Sequence, residues 1–141
     1  MGAISRSFLF TVFGLALLGS TLVRASERAI AAQRDKDLAI VLTNEPGELH
    51  EGNNGFCVLF QRDGTADAAD VRDVALNFIL VVGRMWQQPR PAFLIQDGVG
   101  RYCGTVNLGR LYYSPSNFYV ILDYVDVSGN KRSKRFFVAV R

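Results

Sequence analysis

The sequence predicts an all-β protein, an immunoglobulin-like sandwich of two sheets and about seven strands that follows an N-terminal hydrophobic helix. From residue 37 onward, short runs of apolar residues, several of them alternating with polar ones, recur at roughly ten-residue spacing, and turn-forming Gly, Pro, Asn and Asp residues separate them. No convincing helical pattern follows residue 36. The only two cysteines, Cys57 and Cys103, each lie in one of these runs. These observations favour a sandwich over the alternative, a small closed barrel.

The composition leaves room for one domain. The chain has 141 residues, of which 49% are hydrophobic and 21% are charged, and this suits one globular domain with a short N-terminal segment. Two of its 16 basic residues, Arg6 and Arg24, lie in the N-terminal signal-like segment, so 14 basic residues face 13 acidic ones in the rest of the chain. A nearly neutral domain lacks the basic stripe of a nucleic-acid-binding protein. The basic run at residues 131–135 is interpreted as a solvated hairpin end.

The N-terminus has the pattern of a secretory signal over residues 1–25. A short segment with Arg6 precedes the apolar run at residues 8–19, and Val23-Arg24-Ala25 offers small residues at the spacing that signal peptidase reads. We expect cleavage after Ala25; the alternative is an uncleaved anchor, which would be the protein's only contact with a membrane. Residues 26–36 have little apolar surface and are predicted to be a linker, and residues 37–141 form the predicted domain.

The first half of the domain contains three predicted strands. Residues 38–43 form an apolar run that ends at the turn sequence Asn44-Glu-Pro-Gly47. Residues 56–61 alternate, with Phe56, Val58 and Phe60 on the core face. Residues 74–82 alternate as well, and apolar residues on their second face predict that the far half of this strand is covered on both sides.

The second half contains a short edge strand at residues 92–96, where Pro91 costs no ladder hydrogen bond, and a strand at residues 100–108. The last two strands, residues 118–127 and 132–140, form a predicted hairpin. Matching their apolar residues pairs Tyr124 with Phe136 and centres the hairpin on Asn130. That register requires an odd-numbered loop with Gly129 or Asn130 at positive φ, and it places Asp126 opposite Lys134.

The two cysteines predict a disulfide between neighbouring strands. Cys57 and Cys103 each lie on the opposite face from the core residues of their own strand, and the sandwich order places the two strands side by side. In an exported small domain such a pair is typical of a structural bridge, and the absence of a Cys-x-x-Cys spacing disfavours a metal or redox pair.

Few residues are candidates for chemistry. His50 is the only histidine, and with Met85 it is a candidate copper ligand, supported by Glu48 and Glu51 if folding brings them close. No nucleophile elbow, paired carboxylates or phosphate loop is present, so the sequence predicts no enzyme. Four aromatic residues are candidates for binding a partner: Tyr112, Tyr113, Tyr119 and Trp86. The alternatives are that strand neighbours cover Tyr119 and that Trp86 packs over one end of the sandwich.

The order of these features resembles the YtkA-like/FixH-like extracytoplasmic domain family over most of residues 38–140. The resemblance consists of Gly52-Asn-Asn54 before an alternating strand, the turn Asp63-Gly64, and two strand patterns. Those patterns are Gly-x-Tyr-x-Gly-x-Val-x-Leu from Gly100 to Leu108 and Phe-x-Val-x-Val from Phe136 to Val140. The resemblance implies an immunoglobulin-like sandwich outside the cytoplasmic membrane, in a family associated with copper handling, oxidase assembly or efflux. The family's methionine- and proline-rich segment corresponds here to residues 84–90, where only Met85 matches.

Two functions follow as hypotheses. The first is an exported, periplasmic or extracellular, non-enzymatic module that binds a partner protein at the cell envelope and needs no cofactor. The alternative is a periplasmic copper-binding protein that uses Met85 and His50. Neither the partner nor the oligomeric state is specified by the sequence.

Overall fold

The computed structural model describes residues 26–113 and 115–141; the predicted signal segment, residues 1–25, lies outside them. All regular elements of the described residues are strands. In chain order they are β1 Arg28–Asp35, β2 Leu38–Asn44, β3 Asn53–Arg62, β4 Arg72–Val82, β5 Met85–Trp86, β6 Arg90–Pro91, β7 Phe93–Gln96, β8 Arg101–Asn107, β9 Ser116–Val125 and β10 Lys131–Val140. The described part of the chain therefore holds no helix with the length and hydrophobicity that crossing a bilayer requires.

The strands form two antiparallel sheets that pack face to face. Sheet 1 has the order β1-β2-β3-β8-β7, and sheet 2 has the order β10-β9-β4-β5, with β6 also paired to β4. If β2 is taken as the first strand of the immunoglobulin pattern, β2-β3-β8-β7 corresponds to A-B-E-D and β4, β9 and β10 correspond to C, F and G. The predicted immunoglobulin-like sandwich is confirmed for the described residues.

The core lies between the sheets because successive strand residues face opposite sides. In β9, Phe118, Val120, Leu122 and Tyr124 point inward and are buried, whereas the residues between them face solvent or the outer surface. Phe60 of β3 lies at the centre, with its ring 5.1 Å from that of Tyr124 and 6.3 Å from that of Tyr102. The contact between Phe60 and Tyr124 joins the two sheets.

The predicted linker at residues 26–36 is wrong. Residues 28–35 form β1, which pairs antiparallel with β2 from Arg28↔Asn44 to Asp35↔Leu38, so the folded domain begins before residue 37. The strand contains mostly Ala and charged residues and buries little, because it forms an edge of sheet 1 and is held by backbone hydrogen bonds. Its weak alternation explains why the sequence does not predict it.

The predicted register of the last hairpin is also wrong, although its loop is odd-numbered as expected. Phe136 pairs with Val120 and Arg132 pairs with Tyr124, a shift of four residues. Asp126 explains the tighter turn, since its Oδ1 accepts hydrogen bonds from the backbone N–H groups of Ser128 and Asn130, each at 2.9 Å. Gly129 has the expected positive φ, 89°.

A buried polar network closes the same end of the sandwich. Arg132 donates to Asp126 Oδ2 at 2.8 Å, rather than the predicted Lys134, and the hydroxyl of Tyr124 donates to Asp35 Oδ2 at 2.7 Å. Backbone hydrogen bonds, first that from Asn130, lower the pKa of Asp126, and Arg132 lowers it further. Burial raises the pKa of Tyr124, as does its bond to Asp35. This network ties β1 to the β9–β10 hairpin.

The segment that contains the predicted edge strand connects the two sheets. β6 pairs with β4 in sheet 2, and the chain then crosses to sheet 1, where β7 pairs with β8 as its edge strand. Close approach of β7 needs a glycine in β8, because a Cβ on Gly104 would overlap the carbonyl oxygen of Phe93. The crossing leaves β7 and the disulfide on the same outer surface.

Candidate functional site

A row of aromatic rings crosses the outer face of sheet 2. Tyr119 of β9 lies directly opposite Phe137 of β10, with ring centroids 5.0 Å apart, and the ring of Trp86 from β5 lies 4.6 Å from Tyr119 on the other side. Trp86 and Phe137 are 54% and 57% exposed. We call this surface the aromatic face; it consists of Trp86, Tyr119 and Phe137 with the neighbouring Ile79, Val81 and Ile121.

The register of three strands assembles this face. Ile79 of β4 pairs with Tyr119, and Val81 of the same strand pairs with Trp86, so their side chains lie on the same face as the rings. Ile79 is only 6% exposed although it points away from the core. Strand neighbours thus cover Tyr119 and Ile79 in part, which agrees with one of the alternatives from the sequence. The rings that cover them, Trp86 and Phe137, are themselves exposed.

A groove of about 640 Å³ continues the aromatic face toward the end of the sheet. Tyr112, Tyr113 and Pro115 form one wall, and Val81 and Val82 from β4 form part of the other. Tyr112 and Tyr113 are 83% and 72% exposed. Because Val81 belongs both to the groove and to the aromatic face, all four predicted partner-binding residues lie on one continuous surface.

Basic residues border the aromatic face. Arg135 lies beside Phe137 on the outer side of β10, and Arg84 lies in the turn between β4 and β5; both are exposed. Neither forms an ion pair within residues 26–113 and 115–141. The surface therefore combines apolar rings with two exposed arginines at its border.

The structure does not bring the two candidate copper ligands together. His50 is exposed beside Glu48, with Nε2 3.3 Å from Oε2, and the preceding residue, Leu49, bridges to Val140 at the free edge of β10. Met85 lies in β5, at the opposite edge of sheet 2. Three strand-to-strand steps separate β10 from β5, roughly 14 Å at about 4.8 Å a step. Among the described residues, no three His, Cys, Asp or Glu side chains are grouped to hold a metal ion.

The predicted disulfide is confirmed. Cys57 of β3 lies directly opposite Cys103 of β8, with Cα atoms 4.0 Å apart, and the sulfurs are bonded. Both side chains lie on the outer face of sheet 1, in a small cluster with Leu59 and Val41 that is separate from the main core. The bridge joins two neighbouring strands of one sheet rather than the two sheets.

A buried arginine beside the disulfide is a feature that the sequence analysis missed. Arg101 lies two residues before Cys103 on the same face and is 5% exposed. Its guanidinium donates to both carboxylate oxygens of Glu27, at 2.7 and 3.0 Å, and to Asp97 at 3.1 Å. The hydrogen bond to Glu27, followed by that to Asp97, raises the pKa of Arg101, against the effect of burial. The two-residue spacing to Cys103 is the sequence signal that could have identified it.

The comparisons with known proteins show the fold and no family. No family model matches the chain, and no curated protein matches its sequence. The chain is similar to the crystal structure of a DUF4426 family protein from Pseudomonas aeruginosa PAO1, with a TM-score of 0.52 and 10% identity over 77% of this chain and 94% of that chain. It also aligns with murine CRIg at a TM-score of 0.40 and 8% identity, over 66% and 87% of the two chains. At such low identity these likenesses concern the fold alone.

Proposed function

We propose that this protein is an exported, non-enzymatic β-sandwich that binds a partner protein at the cell envelope, as the YtkA-like/FixH-like resemblance implies. The aromatic face and its groove form the proposed binding surface. The observation that carries this proposal is the row Trp86–Tyr119–Phe137, in which two rings are more than half exposed. Contiguous exposed apolar surface of this kind is typical of interaction sites rather than of freely soluble faces.

The residue types on this face suit protein recognition. Trp and Tyr bury large areas on binding while few rotatable bonds are fixed, and Trp, Tyr and Arg dominate the energetics of interfaces. The bordering Arg84 and Arg135 favour a partner whose contact surface has apolar side chains with acidic residues around them. The proposal of a non-enzymatic role rests on the sequence, which has one histidine and no nucleophile motif.

Crosslinking in cells would test the proposed surface. A photo-reactive phenylalanine analogue at position 137 is expected to capture one defined protein of the envelope, whereas the same analogue at position 93 is not. Phe93 is the matched control, because it is 74% exposed but lies on sheet 1.

The captured partner then allows a binding measurement. Phe137→Ser is expected to weaken its affinity about thirtyfold, the effect of a hot-spot residue, while Phe93→Ser leaves the affinity unchanged. Both substitutions are at exposed positions and are expected to leave thermal stability nearly unchanged. Capture of the same proteins from both positions, or equal affinities of the two variants, would contradict the proposal.

A further inference from the structure

The disulfide lies within a row of side chains that crosses the outer face of sheet 1. Thr43 of β2 pairs with Cys57, Cys57 with Cys103, and Cys103 with Ile95 of β7. Thr43 is 1% exposed, whereas Ile95 is 77% exposed. The row therefore runs from a buried polar residue, through the disulfide, to an open apolar edge.

The two sulfurs contact different members of one ion-pair network, in which Arg101 pairs with Glu27 and Asp97. Arg101 Nη2 donates to Cys57 Sγ at 3.3 Å in a buried position, whereas Asp97 Oδ2 lies 3.8 Å from Cys103 Sγ in an exposed one. Cys57 is 8% exposed, and Cys103 is more accessible. A thiolate on Cys57 would thus be stabilised by a guanidinium, and a thiolate on Cys103 would face a carboxylate.

A cavity opens onto both sulfurs. It has a volume of about 420 Å³, and its walls include Cys57, Cys103 and Gly55, which has no side chain to cover the disulfide there. Thr43 also lines the cavity, and within the described chain its buried Oγ1 has no hydrogen-bond partner. A buried hydroxyl without a partner is costly, and a ligand with an acceptor atom would satisfy it.

We infer that the Cys57–Cys103 disulfide is a thiol-exchange site for a dithiol protein, which attacks at Cys103 while Cys57 is the leaving group. In the first step, a thiolate of the dithiol bonds to Cys103 Sγ, the Cys57–Cys103 bond breaks, and its electron pair goes to Cys57 Sγ. In the second step, the other thiolate attacks its neighbour's sulfur and releases Cys103. The dithiol is oxidised to a disulfide, this protein gains two electrons, and the two protons pass to its cysteines through solvent.

The placement of Arg101 decides the direction of attack. Exchange is faster when the leaving thiolate is stabilised, and among the described residues Cys57 is the cysteine whose sulfur accepts a hydrogen bond from a guanidinium. Thr43 lies opposite Cys57 across the strand pair, and its hydroxyl has no hydrogen-bond partner among the described residues. Exposed Ile95, which pairs with Cys103, supplies an apolar contact for a protein, which a small thiol would not need.

Trapping the mixed disulfide would test the direction of attack. Thioredoxin whose second active-site cysteine is replaced by serine is incubated with the oxidised protein, and the adduct is mapped by mass spectrometry after acid quenching. We expect the adduct on Cys103. An adduct on Cys57, or none after prolonged incubation, would overturn the inference.

Two substitutions test the electrostatic and docking parts while keeping Arg101 and its bidentate pair with Glu27. Asp97→Asn removes the negative charge beside Cys103 and is expected to speed reduction by dithiothreitol about fivefold, whereas the matched Asp123→Asn on sheet 2 leaves the rate unchanged. Ile95→Ser is expected to slow reduction by intact thioredoxin and to leave the dithiothreitol rate unchanged. Equal reduction rates for Asp97→Asn and Asp123→Asn would contradict the proposed effect of the Asp97 charge on attack at Cys103. Equal slowing of Ile95→Ser with both reductants would contradict protein docking at Ile95.

Discussion

Replacing Phe60 with alanine is expected to lower the free energy of unfolding by about 3–5 kcal/mol, the usual cost of removing a buried phenylalanine ring. Phe60 is fully buried, and its ring contacts Tyr102 within sheet 1 and Tyr124 from sheet 2. The substitution therefore leaves a cavity at the contact between the sheets, where the rigid strands cannot close it.

Chemical denaturation measures this effect. The matched control is Phe93→Ala, which removes an equal volume from a ring that is 74% exposed, and its effect is expected to stay within about 0.5 kcal/mol. A loss below about 1 kcal/mol for Phe60→Ala, or equal losses for the two variants, would contradict the assigned core.

Replacing both cysteines with alanine is expected to lower the free energy of unfolding by about 4 kcal/mol. The bridge closes a loop with a sequence separation of 46 residues, so its loss frees the unfolded chain. The folded state is expected to persist, because β3 and β8 remain paired by backbone hydrogen bonds from Asn53↔Asn107 to Leu59↔Arg101.

The same denaturation experiment with and without reductant isolates the bridge. Reductant is expected to destabilise the wild-type protein by the same amount as the double substitution and to have no effect on the double variant. A wild-type protein whose stability is independent of reductant would show that the bridge contributes little.

Much of the fold could be predicted from alternation alone. The strands that carry large apolar residues on one face were found, and the positions of Cys57 and Cys103 within two of them predicted the pairing that the structure shows. Alternation works there because one face of each strand is buried. It fails for β1, whose Ala-rich sequence is held at the sheet edge by backbone bonds rather than by side-chain burial.

The hairpin register shows a second limit of the sequence. Matching Tyr124 with Phe136 maximises apolar pairing, but the side chain of Asp126 bonds two backbone N–H groups and closes a shorter loop. Arg132 then takes the position opposite Tyr124, because it can reach both Asp126 and Asp35. Such a polar network depends on β1, which the sequence did not predict, so the register could not be deduced.

The sequence identified four residues of the candidate site but did not predict how they are arranged. Tyr112, Tyr113, Tyr119 and Trp86 were singled out as partner-binding residues, but the sequence could not show that Phe137 completes their row, since the contact depends on the true register. Met85 and His50 were combined because both suit copper, and their separation follows from the strand order of sheet 2. Spacing along a chain does not reveal distance across a sheet.

The two proposed surfaces lie on opposite sides of the sandwich. The aromatic face belongs to the outer side of sheet 2, and the disulfide with its cavity belongs to the outer side of sheet 1. Reduction of the disulfide can therefore change stability without removing the aromatic face. The Phe137 and Ile95 variants separate the two roles, because each changes one surface only.

Mass spectrometry of the protein isolated from its own cells, quenched in acid with an alkylating agent, tests the central claim most directly. An exported sandwich with a covalent bridge between neighbouring strands predicts a mature N-terminus at Ser26 and a linked pair of peptides containing Cys57 and Cys103. A protein that keeps Met1 and carries two alkylated cysteines would contradict both the cleavage after Ala25 and the bridge.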